Sequence, residues 1–249
     1  MSAETPHSIY TLPLFPLNFV LFPEFTVQLH VFEERYKAMI SSCIERNAPF
    51  GVILIREGEE VGAPAIPHDV GCTARILAVK REDDGRMHLL AIGGERFRLL
   101  EAMLTDQSYL IARVEPLEDL PEAPGNLHSD VQEMTDLFRR YLRLLEETSQ
   151  FELPEFDLPT DPTLLAFTIA AISQLPPVDK QRLLAMTNTR SRLEEGNHYL
   201  RNQVAELEAL RAGKQSTSLE EAPEMHVVIA KPLNLSHPDW QRYRQNARN

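Results

Sequence analysis

The chain has 249 residues, of which 43% are hydrophobic, and its formal net charge at pH 7 is -12. A chain of this size can bury a substantial core in one large domain or two modest ones, and we favour two. The acidic balance disfavours binding to nucleic acid or to an anionic membrane, because both depend on attraction to phosphate. No apolar run reaches the length of a membrane span, and the first residues lack a signal-peptide pattern, which predicts a cytoplasmic protein.

The most informative stretch is residues 10–36. Its first half is apolar but interrupted by Pro13, Pro16 and Pro23, which predicts a buried, extended segment rather than a helix. Proline lacks a backbone donor, so we expect an edge strand or a bulged strand that crosses between sheets. Residues 27–31 alternate as a half-buried strand does, and a helical apolar spacing follows from residue 32 until Arg46.

The remainder of the N-terminal half is predicted to be mainly β. Residues 50–55 are typical of a central strand, and residues 56–71 of a loop. Asp84 and Gly85 predict a hairpin turn between two further strands, and Gly93 with Gly94 predicts a bulge or sharp bend in the return strand. A last strand is expected over residues 109–114. Such a bent sheet can curl towards a small pseudo-barrel with one helix packed against it.

A segment rich in proline and acid, residues 116–126, marks a change from β to helix. A helix is expected from a capping box at Ser129, a nearly all-apolar helix after Asp161, and a long helix from Thr189 to about Gly213. Residues 225–230 could add a strand to a sheet edge, and the only tryptophan, Trp240, lies in a final tail. We interpret that tail first as a segment that docks on its own domain.

Five motifs in order resemble the Lon N-terminal, or LON substrate-binding, domain. They are LPLFPLNFVLFPEFTVQLHVFEERY at residues 12–36, FGVILI at 50–55, VGCTARIL at 70–77, GGERFRLL at 93–100 and SYLIARVEPLED at 108–119. The resemblance implies an α+β fold, with an N-terminal PUA-like β pseudo-barrel and a packed helix followed by a C-terminal helical bundle. We therefore predict a β-rich LON/PUA-like domain over residues 1–120, a helical bundle over 127–213, and a flexible linker and tail over 214–249.

The catalytic motifs of a Lon-type protease are not found in this sequence. It contains no phosphate-loop pattern, no H-E-x-x-H and no G-x-S-x-G, and none of its five lysines lies in a stretch apolar enough to predict a strongly lowered pKa. Cys43 and Cys72 have neither disulfide nor metal spacing, and we interpret them as buried thiols. We expect no cofactor, no metal and no catalytic residue, although catalytic groups can converge from distant positions.

Three functions remain open. The resemblance favours a non-catalytic module, without ATPase or protease domains, that binds unfolded or extended polypeptides through apolar surface and a sheet edge. A separate ATPase or protease is then a partner to expect, and a homodimer is an open alternative. The second hypothesis is an ATP-independent peptidase or other hydrolase. The third is RNA binding through a basic face, although salt pairing is the favoured role of its arginines, Arg75, Arg81, Arg86, Arg96 and Arg98.

Candidate peptide-binding residues come from the signature stretch. Phe19 and Phe22 are the leading apolar contacts, and the other candidates are Phe15, Phe25 and Arg35. Arg35 has an alternative structural role, in which it fixes the helix start to the sheet. Phe32 and Tyr36 are expected to lie in the core.

Overall fold

The described residues form one six-stranded sheet and five helices, a mixed α+β architecture. The computed structural model describes residues 8–62, 65–106, 109–121, 126–149 and 157–214, so the predicted strand at 225–230 and the tail around Trp240 lie outside the described residues. In chain order the elements are β1 (Tyr10–Leu17), β2 (Thr26–Val31), α1 (Glu34–Arg46), β3 (Phe50–Glu57), β4 (Ile66–Arg81), β5 (Met87–Leu104), β6 (Leu110–Pro116), α2 (His128–Ser149), α3 (Pro162–Ile172), α4 (Pro177–Ala185) and α5 (Thr189–Lys214).

The sheet closes on itself through its longest strand. The strand order is β2-β5-β4-β3-β1-β6, and β5 also pairs with β6, so β1, β3, β4, β5 and β6 form a closed circuit. The first part of β5 pairs with β2 and its last part pairs with β6. Between these parts the register against β4 shifts beside Gly93 and Gly94, where the sequence predicts a bulge. A bulge bends a strand and increases its twist, which lets β5 serve two neighbours in succession.

The prolines of β1 are accommodated by a change of partner within the strand. Tyr10–Leu14 pair antiparallel with β6, whereas Leu14–Leu17 pair parallel with β3. At Pro13 and at Pro16, β1 is therefore paired with one neighbouring strand and not two. The missing N–H of each proline need not face a partner strand. The strand is neither at the edge of the sheet nor a link between two sheets, as the sequence predicted, but passes from one neighbour to another within the one described sheet.

Helix α1 has the boundaries that its sequence predicts. Glu33 occupies the N-cap position and Glu34 the first turn, while Arg46 lies in the last turn, so both signs of charge suit the helix dipole. Asn47 ends the helix in the left-handed conformation with φ of 49°, a conformation that asparagine tolerates better than most residues. The structure also corrects the loop predicted over residues 56–71. Strand β4 begins at Ile66, and its residues before 73 already pair with β3.

Helix α5 packs against α2 along an apolar seam that one buried polar residue interrupts. Leu193 and Leu200 are fully buried, and the side-chain amide of Asn197 donates to the carbonyl oxygen of Asp130 at 3.1 Å. Arg190 adds an ion pair to the carboxylate of Asp130 at 2.9 Å. These contacts fix the start of α5 against the start of α2, and they show that the seam is used for packing within the chain.

The largest core cluster joins the sheet to α3 and α4. It contains Phe22 and Phe167, whose ring centroids are 5.7 Å apart, together with Leu183 and Leu184 of α4. Residues on both sides of the predicted boundary near residue 120 therefore share one core. A second cluster lies among α2, α3 and α5.

Two buried arginines and one aspartate connect five segments at this junction. Arg96 of β5 and Arg192 of α5 both form ion pairs with Asp119, which follows β6, and the Arg192 side chain is completely buried. Arg96 also donates to the carbonyl oxygens of Leu184 and Met186 at 2.7 and 2.6 Å. Both guanidinium groups lie over the ring of Phe167 in α3, at 5.3 Å for Arg96 and 4.2 Å for Arg192. We call Arg96, Asp119 and Arg192 the arginine cluster.

The electrostatics of the arginine cluster depend on Asp119. Burial by itself raises the pKa of this carboxyl, but hydrogen bonds and charge from Arg192 and Arg96 outweigh it and leave the pKa below its usual value. Burial lowers the pKa of Arg96, and the charge of Asp119 opposes that change. The carboxylate thus compensates two buried cations, and the backbone carbonyls accept their remaining protons.

Replacing Asp119 with Asn should therefore destabilise the fold by about 3–5 kcal/mol, because it leaves two buried arginines without an anion. The pKa of Asp119 is lowered in the folded state, so its contribution is complete above the unfolded value of about 3.9 and disappears as the pH falls through the folded value. Urea unfolding between pH 3 and pH 7 measures both effects. The exposed pair of Arg98 and Glu115, at 3.6 Å, supplies the control variant Glu115→Gln, which should change stability by about 0–1 kcal/mol. Equal effects of the two variants would contradict the prediction.

The predicted bulge supplies a second test. The N–H of Gly93 donates to the carbonyl oxygen of Phe25 at 2.7 Å, and a Cβ added at Gly93 would collide with the carbonyl group of Phe22. Gly93→Ala should therefore cost about 2–4 kcal/mol, because backbone must shift to admit the methyl group. At Gly94 the added methyl group would meet the side-chain oxygen of Thr73 at 2.7 Å, which can move, so Gly94→Ala should cost less. Chemical denaturation of both variants gives the comparison, and a milder effect at Gly93 than at Gly94 would refute it.

Candidate functional site

Three of the four predicted phenylalanines lie in the core and not at the surface. The exposed fractions of Phe15, Phe22 and Phe25 are 5%, 0% and 8%. Phe15 stacks on Tyr36 with ring centroids 4.2 Å apart, and the segment after β1 folds back along β5 through the bonds of Gly93. The proline-bounded run is therefore turned inwards by tertiary contacts. Phe19 is half-buried at the margin of the same core.

Arg35 connects the start of α1 to the segment between β3 and β4. Its guanidinium pairs with Glu33 at 3.0 Å, donates to the carbonyl oxygen of Glu60 at 3.3 Å and lies 4.5 Å from the ring centre of Tyr36. Glu60 in turn accepts a hydrogen bond from the backbone N–H of Asn18. These contacts give Arg35 a structural role at the start of α1, although its partner Glu60 lies between two strands and not in the sheet to which the sequence predicted it would connect the helix. Tyr36 is buried as expected, but Phe32 is 47% exposed, which corrects its predicted place in the core.

A cavity lies elsewhere, between α1 and the residues that flank the turn from β5 to β6. It has a volume of about 510 Å³ and lies open to solvent. One wall comes from α1 and the other from the turn, and the lining residues are Ala38, Ser41, Ser42, Glu45, Arg46, Thr105, Asp106 and Tyr109. We call this space the α1 groove. Its hydroxyl and charged groups can donate and accept hydrogen bonds, which suits the backbone of an extended peptide.

An apolar hairpin tip adjoins the α1 groove. Leu100, Met103 and Leu104 of β5 are 43%, 50% and 54% exposed. Successive side chains of a strand point to opposite faces, so both faces of the tip are accessible at Met103 and Leu104. The two strands are paired up to this end, because Leu104 pairs with Leu110 and the N–H of Thr105 donates to the carbonyl oxygen of Tyr109 at 2.9 Å. Exposed apolar side chains on an ordered hairpin indicate a contact surface.

The sheet also has an outer strand. Strand β2 stands at the end of the strand order, and among the described strands it pairs with β5. Gln28 and His30 are exposed, and Phe32 follows the strand directly. An outer strand can pair with an added peptide strand, which is the sheet-edge recognition that the sequence predicts.

The two cysteines are buried among the described residues. Burial raises the pKa of the Cys43 thiol to about 11 and also raises that of Cys72, and both cysteines are free. Such thiols remain protonated and are poor nucleophiles. The prediction that no lysine has a strongly lowered pKa was wrong, because burial lowers the pKa of Lys180 to about 8. Its ammonium donates to the carbonyl oxygen of Ala171 at 2.8 Å, a contact that joins α4 to α3.

The arginines proposed as an RNA-binding face do not form one free surface. Arg96 is buried in the arginine cluster, and Arg98 pairs with Glu115 at 3.6 Å. Arg86 pairs with Glu82 and Asp84 at 2.9 and 2.7 Å. These three side chains have the salt-pairing role that the sequence favours. Within the described part of the chain, no helix is long and apolar enough to cross a membrane.

Comparison with known families gives the class of this closed sheet and its helices. Residues 11–202 match the family described as the ATP-dependent protease La (LON) substrate-binding domain. This match covers most of the chain. The chain belongs to the LON substrate-binding domain family, which confirms the predicted resemblance.

Curated relatives and solved structures agree with this assignment. The chain is 25% identical over 205 residues to Lon protease 2 of Syntrophobacter fumaroxidans, a match that covers 82% of this chain and 25% of that protein. It is 26% identical over 186 residues to Lon protease of Escherichia coli K12, with 74% and 24% covered. The chain thus spans about a quarter of the length of these relatives. The part of them that it resembles is the substrate-binding domain.

Two solved structures share the fold. The Lon N-terminal domain protein from Xanthomonas campestris is 28% identical, with a TM-score of 0.56 and coverage of 75% of this chain and 96% of that one. The N-terminal domain of Mycobacterium avium complex Lon protease is 18% identical, with a TM-score of 0.54 and coverage of 79% and 98%, and it supports the fold alone.

Proposed function

We propose that this chain binds unfolded or extended polypeptide segments and does not itself cleave them. The observation that carries the proposal is the ordered apolar hairpin tip beside the α1 groove, in a chain of the LON substrate-binding family. Unfolded proteins expose apolar side chains and unpaired backbone groups together. A surface that recognises them needs apolar contact area and polar groups side by side, and this site offers both.

The two parts of the site have different tasks. Leu100, Met103 and Leu104 contact apolar side chains of the bound segment, because removing such surface from water is favourable without requiring a particular sequence. Ser41, Ser42 and Thr105 in the α1 groove supply hydroxyl groups for its backbone. This division gives sequence-tolerant binding with a preference for hydrophobic segments.

The sheet edge at β2 is the second contact region in this proposal. Main-chain pairing along β2 adds affinity that does not depend on the side chains of the partner, and the exposed ring of Phe32 offers apolar contact at its end. Of the phenylalanines predicted from sequence, Phe19 keeps a direct contact role, since it is half-buried. Phe15, Phe22 and Phe25 then act by holding the segment in place, and Arg35 by fixing the start of α1.

The proposal also includes the division of the chain into domains. We describe the closed sheet as a PUA-like pseudo-barrel and α2–α5 as a helical bundle, with the predicted boundaries of 1–120, 127–213 and 214–249. The core shared by Phe22, Phe167 and Leu183 supports joint unfolding of the first two parts. A separate ATPase or protease that receives the captured segment, and a homodimer, stay predictions. Affinity capture and light scattering address them.

Changing the hairpin tip should weaken binding of an unfolded protein. The double variant Met103→Asp with Leu104→Asp removes two half-exposed apolar side chains, and the affinity should fall on the order of tenfold or more. Fluorescence anisotropy with a labelled, permanently unfolded protein measures the change. Leu210→Asp is the matched control, because Leu210 is 57% exposed on α5, away from the tip. The affinity of this control variant for the unfolded protein should equal that of the wild type.

The same titrations distinguish the alternatives. The native form of the labelled protein should bind weakly, and its unfolded form should stay intact with or without ATP. Cleavage that persists through repurification would overturn the non-catalytic proposal. If Phe19→Ala abolishes binding and the hairpin variant does not, the site lies at residues 18–25, and the hairpin assignment is refuted.

A further inference from the structure

A second cluster of interacting side chains lies on β2 and the hairpin between β4 and β5. His30, Glu82 and His88 each offer a nitrogen or carboxylate oxygen, and these ligand atoms all lie within 4.8 Å of one another. His30 of β2 and His88 of β5 are directly opposed in the antiparallel register. Their rings stack at 4.6 Å with an interplanar angle of 7°. The sheet itself therefore holds the two imidazoles side by side.

The carboxylate is positioned by the same hairpin. Oxygen Oε1 of Glu82 lies 2.9 Å from Nε2 of His88, and Oε2 lies 2.9 Å from the guanidinium of Arg86. Arg86 has a second carboxylate partner, because its Nε donates to Asp84 at 2.7 Å. Glu82 can therefore leave its ion pair with Arg86 and bind another cation, because Arg86 remains paired with Asp84. The remaining neighbours include Lys80, which is opposite His88 in β4, and Phe32, whose ring lies 5.7 Å from His30.

From this geometry we propose that His30, Glu82 and His88 form a binding site for a divalent transition metal of the Zn²⁺ class. Two imidazole nitrogens and one carboxylate oxygen are a common ligand set for Zn²⁺, with a fourth position left to water. Metal–ligand distances of about 2.0–2.2 Å require the three atoms to draw closer together, which the exposed side chains permit by rotation. Hard cations such as Mg²⁺ and Ca²⁺ prefer oxygen ligands and should bind poorly.

The bound metal fastens the outer strand. His30 lies on β2, His88 on β5 and Glu82 just after β4, so one ion cross-links three segments that are otherwise joined by backbone hydrogen bonds. A ligand that binds the folded state and not the unfolded chain raises the stability of the fold. The site is separate from the hairpin tip, but it shares β2 with the second contact region of the proposed polypeptide binding.

Calorimetric titration of the chain, freed of any affinity tag, with Zn²⁺ tests the proposal. The wild type should bind one ion that Mg²⁺ does not displace, and its Tm should rise when Zn²⁺ is added. His30→Ala and His88→Ala should each lose this binding event and the rise in Tm, and Glu82→Gln should weaken both. His198→Ala is the control, because His198 is exposed on α5 and its ring pairs with Asn202. It should behave as the wild type does.

Two further measurements distinguish loss of the metal site from loss of the fold and from binding elsewhere. Without metal, the His30→Ala and His88→Ala variants should keep the wild-type circular dichroism spectrum, since both side chains are exposed. Co²⁺ bound in place of Zn²⁺ should give visible absorption bands typical of nitrogen and oxygen ligands, absent in these two variants. A wild type that fails to bind Zn²⁺ would overturn the proposal. Binding that survives both histidine substitutions would overturn it too, by placing the ion elsewhere.

Discussion

The arginine cluster is the constraint on which the arrangement of sheet and helices depends. Arg96 and Arg192 are cations without enough solvent to stabilise them, and they are tolerated because Asp119 and the carbonyl oxygens of α4 surround them. Each partner comes from a different segment of the chain. The sheet and the helices must therefore meet in one relative position for every charge to be compensated, and Phe167 fills the space beneath both guanidinium groups.

The core at this junction and the end of β5 use the apolar residues of the chain in different ways. The helices cover the sheet where Phe22 and Phe167 meet, so the proline-bounded run becomes core and its aromatic side chains stabilise the fold. Leu100, Met103 and Leu104, near the end of β5, keep their apolar side chains exposed to solvent. A folded surface with exposed apolar side chains suits a binding module, because the module itself loses little conformational entropy when a flexible partner docks on it.

Strand β5 determines both candidate sites. Its bulge at Gly93 and Gly94 divides it into a first part that pairs with β2 and a last part that pairs with β6. The first part carries His88, and the last part carries Met103 and Leu104. The bend that closes the sheet thus separates the proposed metal site from the apolar hairpin tip, which allows each of these two to be changed by mutation without altering the other.

The sequence by itself determined the local elements and the family. Alternation specified β2, charges and Asn47 specified the ends of α1, and the glycine pair specified the bulge, because these signals act between near neighbours. Tertiary structure alone decided which apolar residues remain exposed. Phe22 and Met103 both lie in apolar runs, and one is buried by a helix more than a hundred residues later, while the other is not. The pairings of Asp119, the lowered pKa of Lys180 and the meeting of His30 with Glu82 and His88 also arise from long-range contacts, which local sequence patterns do not encode.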